Sequence, residues 1–433
     1  MNVKELLSRL YNNREANNAS WLIGGRIIQM FISLIVGIIT ARYLGPSNYG
    51  LVNYGAAYVS FFSALCNLGI NSVIVKNFVD HPNEEGLTIG TTLLMHFLSS
   101  IFSCIIIFIV VFFVDAGETT TQIVVMLCSV SLIFHIFETL NYWFQSRYQS
   151  KSIAIATLIA YIGSAFYKIV LLILNKGVEW FAFATSVDYI IYAIVLFIFF
   201  KKNKGPTFSV SIRKGKELLC VSYNYILSGL LVSIYGYTDK FMLKQMLDET
   251  TVGYYSTATA ICSMWVFVLQ AIIDSMYPTI MNLYKTNRNG FLRKNRQLYA
   301  IVFYTSICVS LLITIFAKVI IWILYGENYL PAVNPLRIIT WYTAFSYLGV
   351  ARNAWIVCEN KQKYLKYMYL GAAVINVFMN LLFIPLLGAS GAALASLITQ
   401  IFTSLILPYI IREMRPNSIL MMEAIRLKGV FNK

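Results

Sequence analysis

The sequence predicts an all-α polytopic membrane protein, with about twelve transmembrane helices in two pseudo-symmetric six-helix lobes around a central cavity. Three observations predict this class: long apolar runs, a one-sided distribution of basic residues and an internal repeat. Of the 433 residues, 58% are hydrophobic and 12% are charged, whereas soluble domains carry about 25% charged residues. Apolar runs of about twenty residues recur along the chain, and each could cross a bilayer as a helix.

Short connections separate the predicted spans. The first 20 residues are polar and basic and precede a full-length span, so we expect no secretory signal peptide. The spans cover approximately residues 21–41, 51–75, 87–113, 121–145, 153–174, 181–200, 218–239, 253–281, 298–324, 336–358, 365–387 and 391–411.

The net charge is +15, and the distribution of the basic residues indicates the membrane topology. With the N-terminus inside, the cytoplasmic connections hold 25 lysines and arginines and the opposite connections hold 4. Basic residues collect on the cytoplasmic side of membrane proteins. The distribution therefore predicts that both termini are cytoplasmic, and it argues against a nucleic-acid partner.

The two halves of the chain resemble each other. "YLGPSNYGLVNYGAA" (43–57) aligns without gaps on "MLDETTVGYYSTATA" (246–260), so that Gly50 meets Gly253. Trp143 and Trp355 align at nearly the same offset, which supports a duplication. Six spans per half predict parallel repeats, a plan common in transporters.

Five regions follow from this repeat. They are a cytoplasmic N-terminal segment (1–20), an N-lobe (21–200), a basic cytoplasmic linker (201–217), a C-lobe (218–412) and a cytoplasmic C-terminal tail (413–433). Residues 3–14 and 417–433 are compatible with interfacial amphipathic helices or with frayed tails.

The sequence lacks features that several classes of membrane protein require. No phosphate-binding loop of the G-x-x-x-x-G-K-[ST] type is present, and the longest outer connection (240–252) has only about 13 residues. The seven cysteines lie in apolar spans without close pairs, which argues against disulfides and a metal site. We therefore expect a secondary transporter, neither an enzyme nor a cofactor-dependent protein.

Polar side chains form stripes on three predicted spans. Small polar residues also pack helices together, but an arginine in the first stripe favours a surface facing a wet cavity. The stripes are Arg26, Gln29, Ser33, Gly37 and Thr40 on span 1, Thr157, Tyr161, Ser164 and Lys168 on span 5, and Asn224, Ser228, Tyr235 and Asp239 on span 7.

Ionisable groups within spans mark candidate sites, because such groups are unfavourable in a bilayer. Lys168 and Asp188 are predicted at similar depth, where an ion pair and a substrate or proton site are both compatible. Glu138, Asp188 and Asp274 are candidates for coupling to H⁺ or Na⁺. Arg352 is a candidate contact for an anionic head group, although snorkelling to the interface also explains its position.

Three stretches resemble signatures of a known family. They are similar to segments of Wzx-type O-antigen and capsule repeat-unit flippases. The stretches are "ARYLGPSNYGLVNYGAA" (41–57), "YTDKFMLKQMLDETTVGYYSTA" (237–258) and "LLGASGAALASLITQ" (386–400). The flippases belong to the polysaccharide biosynthesis proteins of the multidrug/oligosaccharidyl-lipid/polysaccharide exporter superfamily. The resemblance covers the whole chain.

The resemblance implies a function and a compartment. It implies translocation of an undecaprenyl-diphosphate-linked oligosaccharide to the outer leaflet of a bacterial inner membrane. The implied partners are that substrate, membrane lipids, and the polymerase and chain-length regulator of the same pathway. Arg26 and Asp239 are the residues it carries over to the site. A second basic residue seen in spans 1 or 2 of some relatives is absent, and Lys168 is its candidate replacement.

The main alternative is a cation-coupled multidrug antiporter of the same superfamily. Such a protein would favour acidic residues in its cavity. Here three acidic residues lie well inside the spans, against five basic ones, which favours an anionic cargo.

Overall fold

A computed structural model describes residues 14–430, apart from the side chains of residues 14–20, 22, 23, 72 and 224. Over this range the chain forms helices and connections without a β-strand. Two compact units are present: residues up to Leu44 with Leu51–Leu230, and Gly45–Gly50 with the chain from Leu231 onward. The predicted all-α class is confirmed, whereas the predicted lobe boundaries and the cavity between the lobes stay predictions.

Aromatic side chains fill the core of the first unit. The Trp143 ring lies 4.9 Å from that of Phe144 and 4.8 Å from that of Phe200, measured between centroids. The helices of this unit are α1 (Arg14–Cys66), α2 (Ile74–Asp80), α3 (Glu85–Val114), α4 (Thr119–Ser129), α5 (Ser131–Phe134), α6 (Glu138–Ser146), α7 (Ser150–Ile173), α8 (Val178–Lys202) and the first part of α9 (Ile212–Met246).

The second unit packs its helices around buried residues such as Phe291, Tyr299 and Trp355. A short π-helix, Phe402–Ile406, interrupts its last long helix. After α9 follow α10 (Glu249–Ser263), α11 (Val266–Thr286), α12 (Arg288–Tyr325), α13 (Val333–Ala351), α14 (Asn353–Cys358), α15 (Leu365–Leu387), α16 (Ala389–Ile401), α17 (Leu407–Ile410) and α18 (Arg415–Ile425).

Fewer helices qualify as spans than the sequence predicts. Within residues 14–430, nine helical stretches are long and apolar enough to cross a membrane, and α9, bent by 53° near residue 224, makes a tenth. The predicted spans 21–41 and 51–75 share the stretch Gly24–Cys66. The helix ends at Cys66, so the predicted end at residue 75 is wrong. The predicted span 336–358 corresponds to α13 and α14, which are not among the ten.

Gly45 interrupts α1 between the two predicted spans. Its φ of 73° and ψ of 171° are not helical, and glycine adopts a positive φ without steric strain. Pro46 lacks the N–H that would continue the helical hydrogen bonds. The Gly-Pro pair therefore explains why a long apolar stretch is divided here.

The segment Gly45–Gly50 belongs to the second unit because it packs against the start of α10. A Cβ at Gly50 would clash with the carbonyl oxygen of Glu249, and a Cβ at Gly253 would clash with that of Pro46. The two glycines that the internal repeat aligns therefore both lie where the backbones touch.

The basic linker is held against the start of α3. The backbone N–H of Ser209 donates to the carbonyl of Gly86 at 3.2 Å. The Lys214 ammonium donates to the Glu84 carboxylate at 2.9 Å. This hydrogen bond and the positive charge of Lys214 hold the pKa of the Glu84 carboxyl below its ordinary value.

The C-terminal tail contains a docked helix, α18. The Asn417 side-chain amide donates to the Tyr299 hydroxyl on α12 at 2.7 Å, and Arg296 pairs with Glu423 at 2.6 Å. Residues 415–425 are thus not a frayed tail. The helix considered for residues 3–14 lies outside the described residues.

Candidate functional site

A cavity of about 170 Å³ lies inside the first unit, between α1, α6, α7 and α8. It brings together three sequence-predicted site residues, Gln29, Glu138 and Asp188. The predicted polar stripe of span 5 contributes Thr157 and Tyr161. The remaining lining residues are Ala160, Tyr189 and Tyr192.

The first cavity is lined by two carboxyl groups, those of Glu138 and Asp188, and by no basic residue among the described ones. Asp188 has a buried carboxylate oxygen, Oδ1, that accepts no hydrogen bond. Lys168 attracts Asp188 electrostatically, but the described side chains of the two form no ion pair. Two carboxylates and three phenol rings in one small cavity form a site suited to a cation or a proton.

His135 adjoins this cavity. Its ring stacks on Tyr189 at 3.8 Å between centroids, and its Nδ1 lies 4.0 Å from the Glu138 carboxylate. Neither ring nitrogen has a hydrogen-bond partner. His135 is therefore packed as a buried ring, and a small approach of Glu138 would give it a hydrogen bond.

A second cavity, of about 120 Å³, lies inside the second unit around Arg352. Arg352 is buried, with 6% of its surface exposed. Tyr235 and Tyr369 line the cavity with rings nearly parallel, 13° apart. Its polar lining also includes Ser346, Asn353, Gln400, Thr403 and Ser404.

Arg352 contacts the π-helix that precedes Pro408. Proline has no N–H, so one carbonyl in the preceding turn lacks its usual donor. Arg352 Nη1 donates to the carbonyls of Thr403 and Ser404 in the π-helix at 3.3 and 3.4 Å. The Arg352 Nε is buried without a partner. The guanidinium thus caps a helix defect and keeps a free donor.

Asp239 lies in a separate polar cluster of the second unit. The Asn376 and Asn380 amides donate to its carboxylate at 3.0 and 2.6 Å, and the Tyr255 and Ser396 hydroxyls also donate to it. These donors come from α10, α15 and α16, so the carboxylate joins α9 to three other helices.

Several other predicted site residues are not among the described residues that line the two cavities. Arg26 and Ser33 are exposed on α1, one turn before and after Gln29. Asp274 is exposed and accepts a hydrogen bond from Gln270 on its own helix at 2.8 Å. The side chain of Asn224 lies outside the described residues.

The sequence offered signals for residues that the prediction omitted. Asn376 and Asn380 are four apart within an apolar run, and therefore share a helix face. Tyr189 and Tyr192 are three apart and adjoin Asp188. Pro408 indicated that one carbonyl in the preceding turn lacks its helical donor.

Together these features define a multi-pass, all-helical membrane protein whose two units each contain a small charged cavity. A family model described as "Polysaccharide biosynthesis protein" matches residues 16–284. The chain therefore belongs to the polysaccharide biosynthesis protein family, and the resemblance of its sequence signatures to that family is confirmed.

Relatives and solved structures agree with this assignment. The chain is 22% identical to the capsular polysaccharide biosynthesis protein CapF of Staphylococcus aureus, over 90% of this chain and 98% of that protein. The lipid II flippase MurJ has a TM-score of 0.72 at 13% identity, covering 94% of this chain and 92% of MurJ. A MATE-family multidrug transporter of the MOP superfamily gives 0.70 at 15% identity, covering 92% and 96%. The chain thus has the MOP-superfamily fold.

Proposed function

We propose that the protein is a flippase for an undecaprenyl-diphosphate-linked oligosaccharide repeat unit of O-antigen, capsule or a similar surface polysaccharide. It moves this cargo from the inner to the outer leaflet of the bacterial cytoplasmic membrane by alternating access, with both termini cytoplasmic. The family match over residues 16–284 carries the proposal. The MOP-superfamily fold supports membrane transport rather than catalysis.

The diphosphate needs a basic contact near the cytoplasmic end of the pathway. Arg26 is exposed on α1, and a guanidinium binds phosphate oxygens in a bidentate fork. Lys168 on α7 supplies a second positive charge. The lipid tail stays in the bilayer. The membrane potential favours outward movement of each negative charge by about 2.3 kcal/mol per 100 mV.

The first cavity is suited to the coupling ion. Its volume of about 170 Å³ accommodates a monovalent cation with a few waters, each of which occupies about 30 Å³ in the liquid. Glu138 and Asp188 provide the negative charge. We assign H⁺ or Na⁺ coupling to this cavity, with no other cofactor.

A multidrug antiporter is the second candidate. The carboxylates and tyrosines of the first cavity would attract an organic cation, and the MATE-like fold is compatible with that activity. Drug-sized ligands, however, occupy pockets of about 300–1,000 Å³. The first cavity is smaller, which favours an ion.

A strain that lacks the gene, and has no redundant flippase, tests the function. We expect lipid-linked repeat units to accumulate on the cytoplasmic leaflet and surface glycan to disappear. The wild-type gene should restore export, because the lipid-linked repeat units then reach the polymerase and chain-length regulator again. Unchanged surface glycan would refute the flippase assignment.

An Arg26→Ala variant tests the head-group contact in the same strain. We expect it to restore export poorly at normal membrane abundance. Lys318→Ala is the matched control, because Lys318 is also an exposed basic residue on a long apolar helix. Full export by Arg26→Ala would remove Arg26 from the site.

A further inference from the structure

Arg352 is a buried cation whose electrostatic partner is missing from the described part of the chain. Its guanidinium is hydrogen-bonded to backbone carbonyls rather than to a carboxylate. We propose that the second cavity, around Arg352, binds one oxyanion of the cargo, a phosphate or a sugar carboxylate. This proposal rests on the proposed function, since it assigns the oxyanion to the flippase cargo.

The charge balance supports an anionic ligand. A charge removed from water is strongly unfavourable unless it is paired. No acidic residue is among those lining the second cavity, whereas the first cavity has two. A bound oxyanion would supply the missing negative charge.

The hydrogen bonds leave donors for that ligand. The bonds from Nη1, at 3.3 and 3.4 Å, are longer than the usual N–H···O distance of about 2.9–3.0 Å. The unpartnered Nε is one edge of the planar fork that binds phosphate and carboxylate oxygens. Gln400 and Asn353, which also line the cavity, carry amide donors.

The size of the cavity favours a single group as its ligand. A volume of about 120 Å³ is well below the range of about 300–1,000 Å³ typical of whole-molecule pockets. Tyr235 and Tyr369 line the same cavity as Arg352 with nearly parallel rings. The cavity is therefore suited to one phosphate or carboxylate while the rest of the cargo lies elsewhere.

The structural role of Arg352 must be separated from ligand binding. Removing the guanidinium would remove its hydrogen bonds to the Thr403 and Ser404 carbonyls. A Pro408→Ala substitution adds one backbone N–H to that turn, so Arg352→Gln can also be tested in this second background. Arg352→Lys keeps the charge but loses the fork.

Binding is measured on the purified full chain in nanodiscs by isothermal titration with inorganic pyrophosphate and, separately, glucuronate at constant ionic strength. We expect one of these anions to bind the wild type, and Arg352→Gln to weaken that binding at least about tenfold in both backgrounds. Binding of pyrophosphate assigns the lipid diphosphate, and binding of glucuronate assigns an acidic sugar. Arg337→Gln, which removes an exposed arginine of α13, should bind as the wild type does.

The proposal would be overturned if neither pyrophosphate nor glucuronate bound the wild type. Equal binding by Arg352→Gln in the Pro408→Ala background would also overturn it. These results are independent of the gene-deletion test. Normal surface glycan in the deletion strain would refute the flippase function while leaving measured anion binding intact, and absent binding would leave the flippase function standing.

Discussion

Gly50 and Gly253 are single positions at which neighbouring backbones leave no room for a side chain. In each case the added Cβ would meet a backbone carbonyl, which cannot move aside as a flexible side chain can. The contact therefore explains two glycines at once. It also explains why the segment Gly45–Gly50 packs with the second unit.

Gly50→Ala and Gly253→Ala should each destabilise the protein by about 1–3 kcal/mol, because overpacking forces backbone shifts. Thermal unfolding in detergent would measure the effect. Gly37→Ala is the control, since nothing lies within 4 Å of a Cβ there, and it should be neutral or stabilising by up to about 1 kcal/mol. Equal unfolding temperatures for all three variants would contradict the clash.

The sequence showed that Gly50 and Gly253 occupy equivalent positions in the two repeats, but not which backbone atoms they contact. The ungapped alignment of residues 43–57 with residues 246–260 paired the two glycines. An alignment between repeats contains no distance, so the packing of Pro46 against Gly253 required the structure. In the same way, Arg352 was predicted as a charged residue within a span, but its carbonyl partners, more than 50 residues away, were not.

Among the elements, α18 depends on a buried side-chain contact for its position on α12. Asn417 is fully buried and donates to the Tyr299 hydroxyl. Asn417→Ala should lower the free energy of unfolding by about 1–3 kcal/mol, because it leaves the buried hydroxyl without this donor. Chemical denaturation would measure the loss.

The matched control for Asn417 is Asn334→Ala, which truncates an exposed asparagine in the first turn of α13. Its stability should stay within about 0.5 kcal/mol of the wild type. If both variants were equally stable, the contact between Asn417 and Tyr299 would not hold α18.

The linker contact at the start of α3 should depend on pH. Lys214 lowers the pKa of Glu84 in the folded protein, so the charged carboxylate stabilises the fold above the ordinary glutamate pKa of about 4.3. This contribution is lost as the pH falls through the lower, folded-state pKa. Glu84→Gln should thus be less stable than the wild type at neutral pH, and the difference should shrink in acid.

Unfolding of the two proteins across this pH range would measure the Glu84 contribution. Glu413→Gln is the control, because Glu413 is exposed and forms no ion pair with another described side chain. Its stability should parallel that of the wild type at every pH. A pH-independent difference for Glu84→Gln would contradict the ion pair.

Helix interruptions were the elements that the apolar pattern predicted least well. The uninterrupted runs of α3, α7 and α8 match their predicted spans within a few residues. The predicted span 121–145 instead breaks after α4. There Ser129 and Ser131 donate to carbonyls three residues earlier, at 2.8 and 2.7 Å, and such bonds compete with regular helix hydrogen bonding.

For the whole molecule, contacts between polar groups that are far apart in the sequence are the hardest to predict. The donors to Asp239 on α15 and α16 are 137–157 residues away, and no local period connects them. The stripes on α1 and α7, by contrast, were readable because one helix face repeats every three or four residues. They led to Gln29, Thr157 and Tyr161 in the first cavity, whereas α8 supplied the tyrosines that the prediction omitted.

The last prediction concerns the first cavity and the transport cycle of the whole molecule. If an ion bound in this cavity drives export, its binding must be coupled to movement of the cargo. Asp188→Asn and Glu138→Gln remove its negative charge while keeping side-chain size, so export should lose its dependence on an imposed H⁺ or Na⁺ gradient and keep only the potential-driven rate. Flipping of extracted lipid-linked oligosaccharide in proteoliposomes would measure this. Asp274→Asn separates the candidates, since Asp274 is exposed and bonded within its own helix, and it should retain the gradient response. If Asp274→Asn alone abolished that response, the coupling site would lie on α11 rather than in the first cavity.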